Sequence, residues 1–245
     1  MNGTFQKLFL IVFLVTLCVA VSSIAPVNFA SNLIPDSQIT VSTTLKNVSQ
    51  ADIEEVKREA RIALNSIPQI LGVEYRKNTK INIVNSDICY TSGNIVSLSI
   101  SHIKDKNSPV IHEVTHILAK HENNSFFSEG LAVYFQERFS EFHGFPNFSV
   151  PLDDLVRNNE SQLIDIPHLK NDNKIFEQVG TELRRLAYIE AGSFINFLVV
   201  NYGEQKLAEL HNSRSLNFKE VYGKQIEVLE AEWKSYVFGN QFLNT

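Results

Sequence analysis

Apolar residues recur along this chain mostly at three- and four-residue steps, so helices carry most of it. Ile53, Val56, Ala60, Ile62, Ala63 and Leu64 predict a helix that opens at Ser49 or Gln50 and ends near Gly72. Pro68 is expected to shorten or kink its last turns. Alternation, the signature of a half-buried strand, appears in residues 38–42, 80–84 and 95–100, the last entered through Ser92-Gly93-Asn94. Val110, Ile111, Val114, Ile117 and Leu118 then mark a helix apolar on several faces, as an interior helix is. Ser108 is its expected cap and Pro109 its first residue. Residues 126–135 form a second apolar helix that Ser125 could cap, reached across a polar break around residues 122–124.

Beyond Phe142 the pattern changes. Gly144, Pro146 and Pro151 mark a loop, and no convincing strand follows. Residues 151–156 predict a short helix. Leu183, Leu186, Ala187, Phe194, Ile195 and Leu198 predict a long one over residues 181–202, closed by Gly203. Two further helical pieces fall at residues 218–223 and 227–237, the second anchored in the core by Trp233. The fold class expected is therefore α+β. A part spanning residues 26–140 holds a small mixed sheet, and residues 141–245 form a mainly helical part.

The first interior helix carries His112-Glu113-Val114-Thr115-His116, which reads H-E-x-x-H. One helical turn separates the two imidazoles, so both point the same way and can grip one metal ion. Glu113 lies beside them, placed to take a proton from water. A core helix burying two histidines and a glutamate without partners would lose several kcal/mol. A divalent cation removes that cost.

Two histidines leave a tetrahedral zinc short of the three protein ligands usual in catalytic sites. Glu122 falls where the metzincin pattern puts its third ligand. That pattern needs a glycine where Ala119 stands, and a methionine turn that a chain whose only methionine is Met1 cannot make. His121 is one residue short of the same offset, on a helix end expected to face solvent. Glu129, in the second apolar helix, is the better ligand, with Gly130 beside it allowing close helix approach; His143 is a more distant alternative.

With 245 residues and ample apolar content the chain can build a sizeable core. Its net charge is -5, with no Lys/Arg cluster, which argues against a nucleic-acid partner. Residues 1–25 hold Lys7 and an apolar run over residues 8–21, short for a membrane span and suited to a secretory signal. Cleavage is expected after Ala20; an uncleaved signal anchor tethering the chain to a membrane is the alternative. Localisation is thus expected to be secreted or extracytoplasmic, or membrane-anchored. A lipidated Cys18 is disfavoured by the bulky Leu17. With Cys18 removed, Cys89 is left without a disulfide partner and reads as a buried small side chain, not a nucleophile. Asn47, Asn123, Asn147 and Asn159 fit the glycosylation acceptor pattern.

H-E-x-x-H followed by Ser128-Glu129-Gly130-Leu131-Ala132-Val133-Tyr134 resembles the gluzincin zinc metallopeptidases, most of all the peptidase MA-like group. Residues 188–194 with Leu198, Asn201-Tyr202-Gly203 and residues 230–233 also look like that group, so the resemblance covers roughly residues 80–237. It departs from related aminopeptidases in its shorter spacer between His116 and Glu129. It departs from the thermolysin group in placing Val133 where that group keeps a supporting aspartate.

The resemblance implies a zincin-like fold and one zinc per chain, held by His112, His116 and Glu129. The activity it implies is hydrolysis of peptide bonds in a peptide or protein substrate. Glu113 would be the general base, and Tyr188 the donor to the oxyanion, with Tyr134 a second candidate. The strand at residues 95–100 would be the edge strand that pairs with substrate. A zincin-fold binding or regulatory protein with structural zinc is the alternative, against which Glu113 argues. A non-peptidase amide hydrolase would use the same residues.

Overall fold

Helix α1 (Gln50–Leu71) begins where Ser49 and Asp52 form a reciprocal capping box, and ends at Gly72 with φ 65°. Val56, Ala60, Ala63, Leu64, Ile67 and Leu71 form its buried stripe. Pro68 does not shorten it. The proline sits in the last turn, where its missing N–H removes a single bond, and its carbonyl accepts from the N–H groups of Gly72 and Val73.

The computed structural model describes residues 38–121, 123–213 and 215–239. The expected signal or anchor over residues 1–25 lies outside the described residues. Among the described residues no helix is long and apolar enough to cross a membrane.

The sheet has four strands: β1 (Ile39–Thr43), β2 (Thr79–Val84), β3 (Tyr90–Ser92) and β4 (Ile95–Ser99). Their order is β1-β2-β4-β3, with β1, β2 and β4 parallel and β3 antiparallel. Residues 95–100 are thus not the edge. Strand β4 is paired on both sides and buried from Val96 on, and Ile100 already starts the short helix α2 (Ile100–Lys104). The edge beside β4 is β3, held in register by Tyr90 opposite Ser97 and Thr91 opposite Val96, and β1 is the other edge.

Helices follow: α3 (Val110–Ala119), α4 (Ser125–Phe139), α5 (Leu152–Asn158), α6 (Ile166–Asn171), α7 (Glu182–Tyr202), α8 (Glu204–Asn212), α9 (Phe218–Tyr222) and α10 (Ile226–Gly239). Among the described residues no strand follows Ser99. The fold is α+β and zincin-like: a small mixed sheet with the H-E-x-x-H helix, then a mainly helical part.

Helices α4 and α7 meet through two glycines. A Cβ on Gly130 would lie 3.0 Å from the Ala191 carbonyl oxygen and 3.0 Å from Ile195 Cγ1. One on Gly192 would lie 2.4 Å from Val133 Cγ1, so Val133 fills the space against α7 that Gly192 vacates. Trp233 of α10 is fully buried and donates through Nε1 to Ser193 Oγ at 2.9 Å. Ser193 in turn donates to Asp153 Oδ1 at 2.6 Å, tying α10, α7 and α5 together.

Glu190 of α7 is fully buried and accepts the Ile164 N–H at 3.0 Å. Burial pushes its carboxyl up from 4.5 to about 8, against the opposing pull of that N–H and Lys234. Above pH 4.5 the unfolded chain releases this proton while the folded chain keeps it up to about pH 8. This group therefore lowers stability as pH rises across that window. Glu190→Gln keeps an acceptor for Ile164. It is expected to flatten that decline in urea titrations and to raise stability at pH 8 by on the order of a few kcal/mol. An unchanged slope would contradict the assignment.

Candidate active site

Helix α3 buries Val110, Ile111, Val114, Ile117 and Leu118 in the core, and turns His112, Glu113 and His116 toward a cleft of about 930 Å³. Its start differs from expectation. Pro109 is the cap residue, and Ser108 Oγ is buried without a partner. The orphan N–H of His112 instead donates to Gln136 Oε1 on α4 at 2.9 Å, and Gln136 Nε2 donates to the Phe142 carbonyl at 3.1 Å. A side chain 24 residues away does the capping. Helix α4 likewise begins one residue early: Asn124, not Ser125, accepts from the Phe127 N–H at 2.9 Å.

The two imidazoles stand edge to face, 4.9 Å apart. Glu129 reaches between them from the first turns of α4. Its Oε2 lies 3.1 Å from His112 Nε2 and 3.4 Å from His116 Nε2. Neither contact is aligned as a hydrogen bond, and Oε2 is buried with no hydrogen-bond partner. Three ligand atoms, one from each residue, lie within 4.8 Å of one another. Ser128 Oγ occupies the far side of His116, 3.0 Å from Nδ1, which aims Nε2 inward. Burial works against charge here, yet the Glu129 carboxylate raises His116 to about 9. The same pair, opposing burial, holds Glu129 well below the usual carboxylate range. Two imidazoles and a carboxylate around one buried, unpartnered oxygen fit a divalent cation, which would supply the positive charge without a proton.

Glu113 is buried beside this cluster. Thr91 of the edge strand β3 holds it, with Oγ1 2.7 Å from Glu113 Oε2 and 2.9 Å from the Glu113 carbonyl. The opposite wall carries Tyr188, whose ring lies parallel to that of His112 with centroids 6.1 Å apart. Its hydroxyl accepts from Arg184 Nη2 at 2.9 Å. Burial and the adjacent Glu129 carboxylate push the phenol above its ordinary range. The cleft rim is apolar and exposed, with Ile88 and Tyr90 by the edge strand and Phe145, Phe148 and Val179 across from them.

Other expected residues fall elsewhere. Tyr134 is overturned as an oxyanion donor: it lines a separate cavity, and its hydroxyl accepts from Arg138 at 2.6 Å. His121 is half-buried; it lines the cleft, and its Nε2 lies 2.8 Å from His211 Nδ1. Lys120, with φ 52°, makes the turn after α3 for which the metzincin pattern would need glycine. His143 is exposed and outside the cleft lining, and Glu122 lies outside the described residues. Cys89 is half-buried and accepts from the Ser99 N–H at 3.2 Å; burial pushes its thiol up to about 11, as an unreactive side chain requires. Asn147 is buried and donates to Glu137 and the Val150 carbonyl, which leaves no room for a glycan.

Sequence reasoning gave no role to Thr91, Gln136 or Arg184. Each acts through a partner set by the fold, and only Arg184, one helical turn before Tyr188, had a signal in its spacing.

Fold and site together define a metallopeptidase-type protein: a zincin-like sheet and helix pair with a His/His/Glu cluster that could hold a metal. The family model described as Peptidase MA superfamily matches residues 83–239, and the chain belongs to that superfamily. No curated protein and no solved structure matches it. Membership makes the chain a hydrolase of the protease type, with peptides or proteins as its substrate class.

Proposed function

We propose that this protein is a zinc-dependent metallopeptidase that cleaves peptide bonds, with His112, His116 and Glu129 holding one zinc ion. The observation that carries this reading is the buried Glu129 oxygen, which lies 3.1 and 3.4 Å from two imidazole nitrogens and has no hydrogen-bond partner. A zinc ion bound by these three residues would supply a Lewis acid for the scissile carbonyl and a more acidic water.

The remaining work falls to the chain's own residues. Glu113, oriented by Thr91, accepts the proton of the attacking water and returns it to the leaving amine. Tyr188 donates a hydrogen bond from its hydroxyl to the oxygen that gains charge as the carbonyl becomes tetrahedral. The outer edge of β3 offers unpaired backbone groups along the cleft, so an extended substrate adds there as a further strand. The apolar rim suits substrates with large apolar side chains near the cut bond.

Incubation of the purified protein with a peptide library tests the reading. Cleavage is expected, followed by its loss in a chelator and recovery on adding zinc. Cleavage that a chelator leaves untouched would sink the zinc-dependent reading.

A further inference from the structure

Arg184 is held more firmly than a surface arginine at a helix start would be. Its Nε donates to the Phe176 carbonyl at 2.7 Å and its Nη2 to the Tyr188 hydroxyl at 2.9 Å. The guanidinium also lies over two rings, 4.8 Å from the centroid of Tyr188 and 5.6 Å from that of Phe145. Phe145 and Phe176 pack against the Tyr188 ring in turn, with centroids 5.2 and 5.6 Å away. Arginine and phenol are thus one clamped unit on the cleft wall that faces His112.

The chemistry of the pair sets a direction. A guanidinium has donors and no acceptor, so the Tyr188 hydroxyl cannot donate to Arg184. The phenol has one proton, and its oxygen already accepts from Arg184 on one side. That proton therefore turns away from the arginine, toward the side of the ring that borders the His112, His116 and Glu129 cluster. A bond from a cation also polarises the O–H, which makes it a stronger donor.

We infer that Arg184 is a positioning residue that turns the Tyr188 hydroxyl proton into the cleft, where the oxyanion of a cleaved peptide forms. This rests on the peptidase reading above. Arg184 does not touch the substrate in this account; it acts through Tyr188. Lysine cannot replace it, because one ammonium lacks the planar fork that reaches the Phe176 carbonyl and the phenol together.

The test is a double-mutant cycle on zinc-loaded protein with Arg184→Ala, Arg184→Lys, Tyr188→Phe and the double variant Arg184→Ala/Tyr188→Phe. Tyr188→Phe is expected to lower kcat about 100-fold or more, and each Arg184 variant about tenfold or more. KM and zinc content should stay within about twofold for all of them, and the double variant should match Tyr188→Phe alone. A second readout needs no activity. In metal-free protein labelled with 13C at the tyrosine ζ carbon, the Tyr188 resonance, identified by its loss in Tyr188→Phe, should shift in both Arg184 variants.

Several results would overturn the inference while leaving the peptidase reading intact. One is an Arg184→Ala effect on kcat that persists at full size in the Tyr188→Phe background. Another is a Tyr188 resonance that does not move. A third is a loss confined to KM and to peptides with a free C-terminal carboxylate, which would make Arg184 a substrate ligand. Absence of cleavage by the zinc-loaded wild type would instead overturn the peptidase reading, and this inference with it.

Discussion

Replacing Glu113 by glutamine is expected to lower kcat for peptide cleavage by about 100- to 10,000-fold, the range typical of a lost general base, while zinc stays bound. Glutamine has nearly the shape of glutamate, and its amide oxygen can still accept from Thr91 Oγ1, which lies 2.7 Å from Glu113 Oε2. Packing around this buried position is therefore kept, and what disappears is the capacity to take a proton. Zinc content should not change, because Glu113 is not among the three residues whose ligand atoms converge. Steady-state kinetics on a cleaved library peptide, with elemental analysis of the same preparations, checks both halves. Equal turnover by variant and wild type would remove Glu113 from the mechanism.

The fold was legible where a helix is long and one face repeats. Helix α1 declares itself through Val56, Ala60, Ala63, Leu64 and Ile67 at helical steps, and α7 through Leu186, Phe194, Ile195 and Leu198. Short elements left no such trace. Strand β3 spans Tyr90–Ser92, too few residues to show alternation, and its partner β4 carries buried Ser97 and Ser99 that mimic an exposed face. The resemblance makes the strand over residues 95–100 the edge, and the shorter β3 takes that place instead. Helix α8 buries only Leu207, Leu210 and His211, too sparse a stripe to stand out.

The site divides along the same line. His112, Glu113 and His116 are close in sequence and rigidly spaced, so their shared direction follows from helix geometry alone. That Glu129 lies near the two histidines follows from a second apolar helix folding back on the first, with Gly130 allowing close approach. The supporting shell was not readable. Thr91 meets Glu113 across 22 residues, and Gln136 caps α3 across 24, through contacts that exist only once sheet and helices have packed. The same limit misplaced Tyr134, whose position in α4 turns it toward Arg138 instead of the cleft.

Glu129→Ala is expected to have the largest effect on the metal itself. The substitution removes the single carboxylate between two imidazoles and would leave the proposed site two neutral ligands, one short of the three protein ligands common in catalytic zinc sites. The histidines stay in place, since Gln136 holds the His112 backbone and Ser128 holds the His116 ring. Loss of zinc would thus report the missing ligand and not a collapsed site. Zinc-dependent stabilisation should vanish in parallel; for a site filled at a hundredfold excess over Kd it amounts to about 2.7 kcal/mol. The decisive measurement is the zinc content of purified wild type and Glu129→Ala after identical equilibration and desalting. About one zinc per chain in the wild type and essentially none in the variant is the result expected; equal zinc in both would contradict a metal centre built on His112, His116 and Glu129.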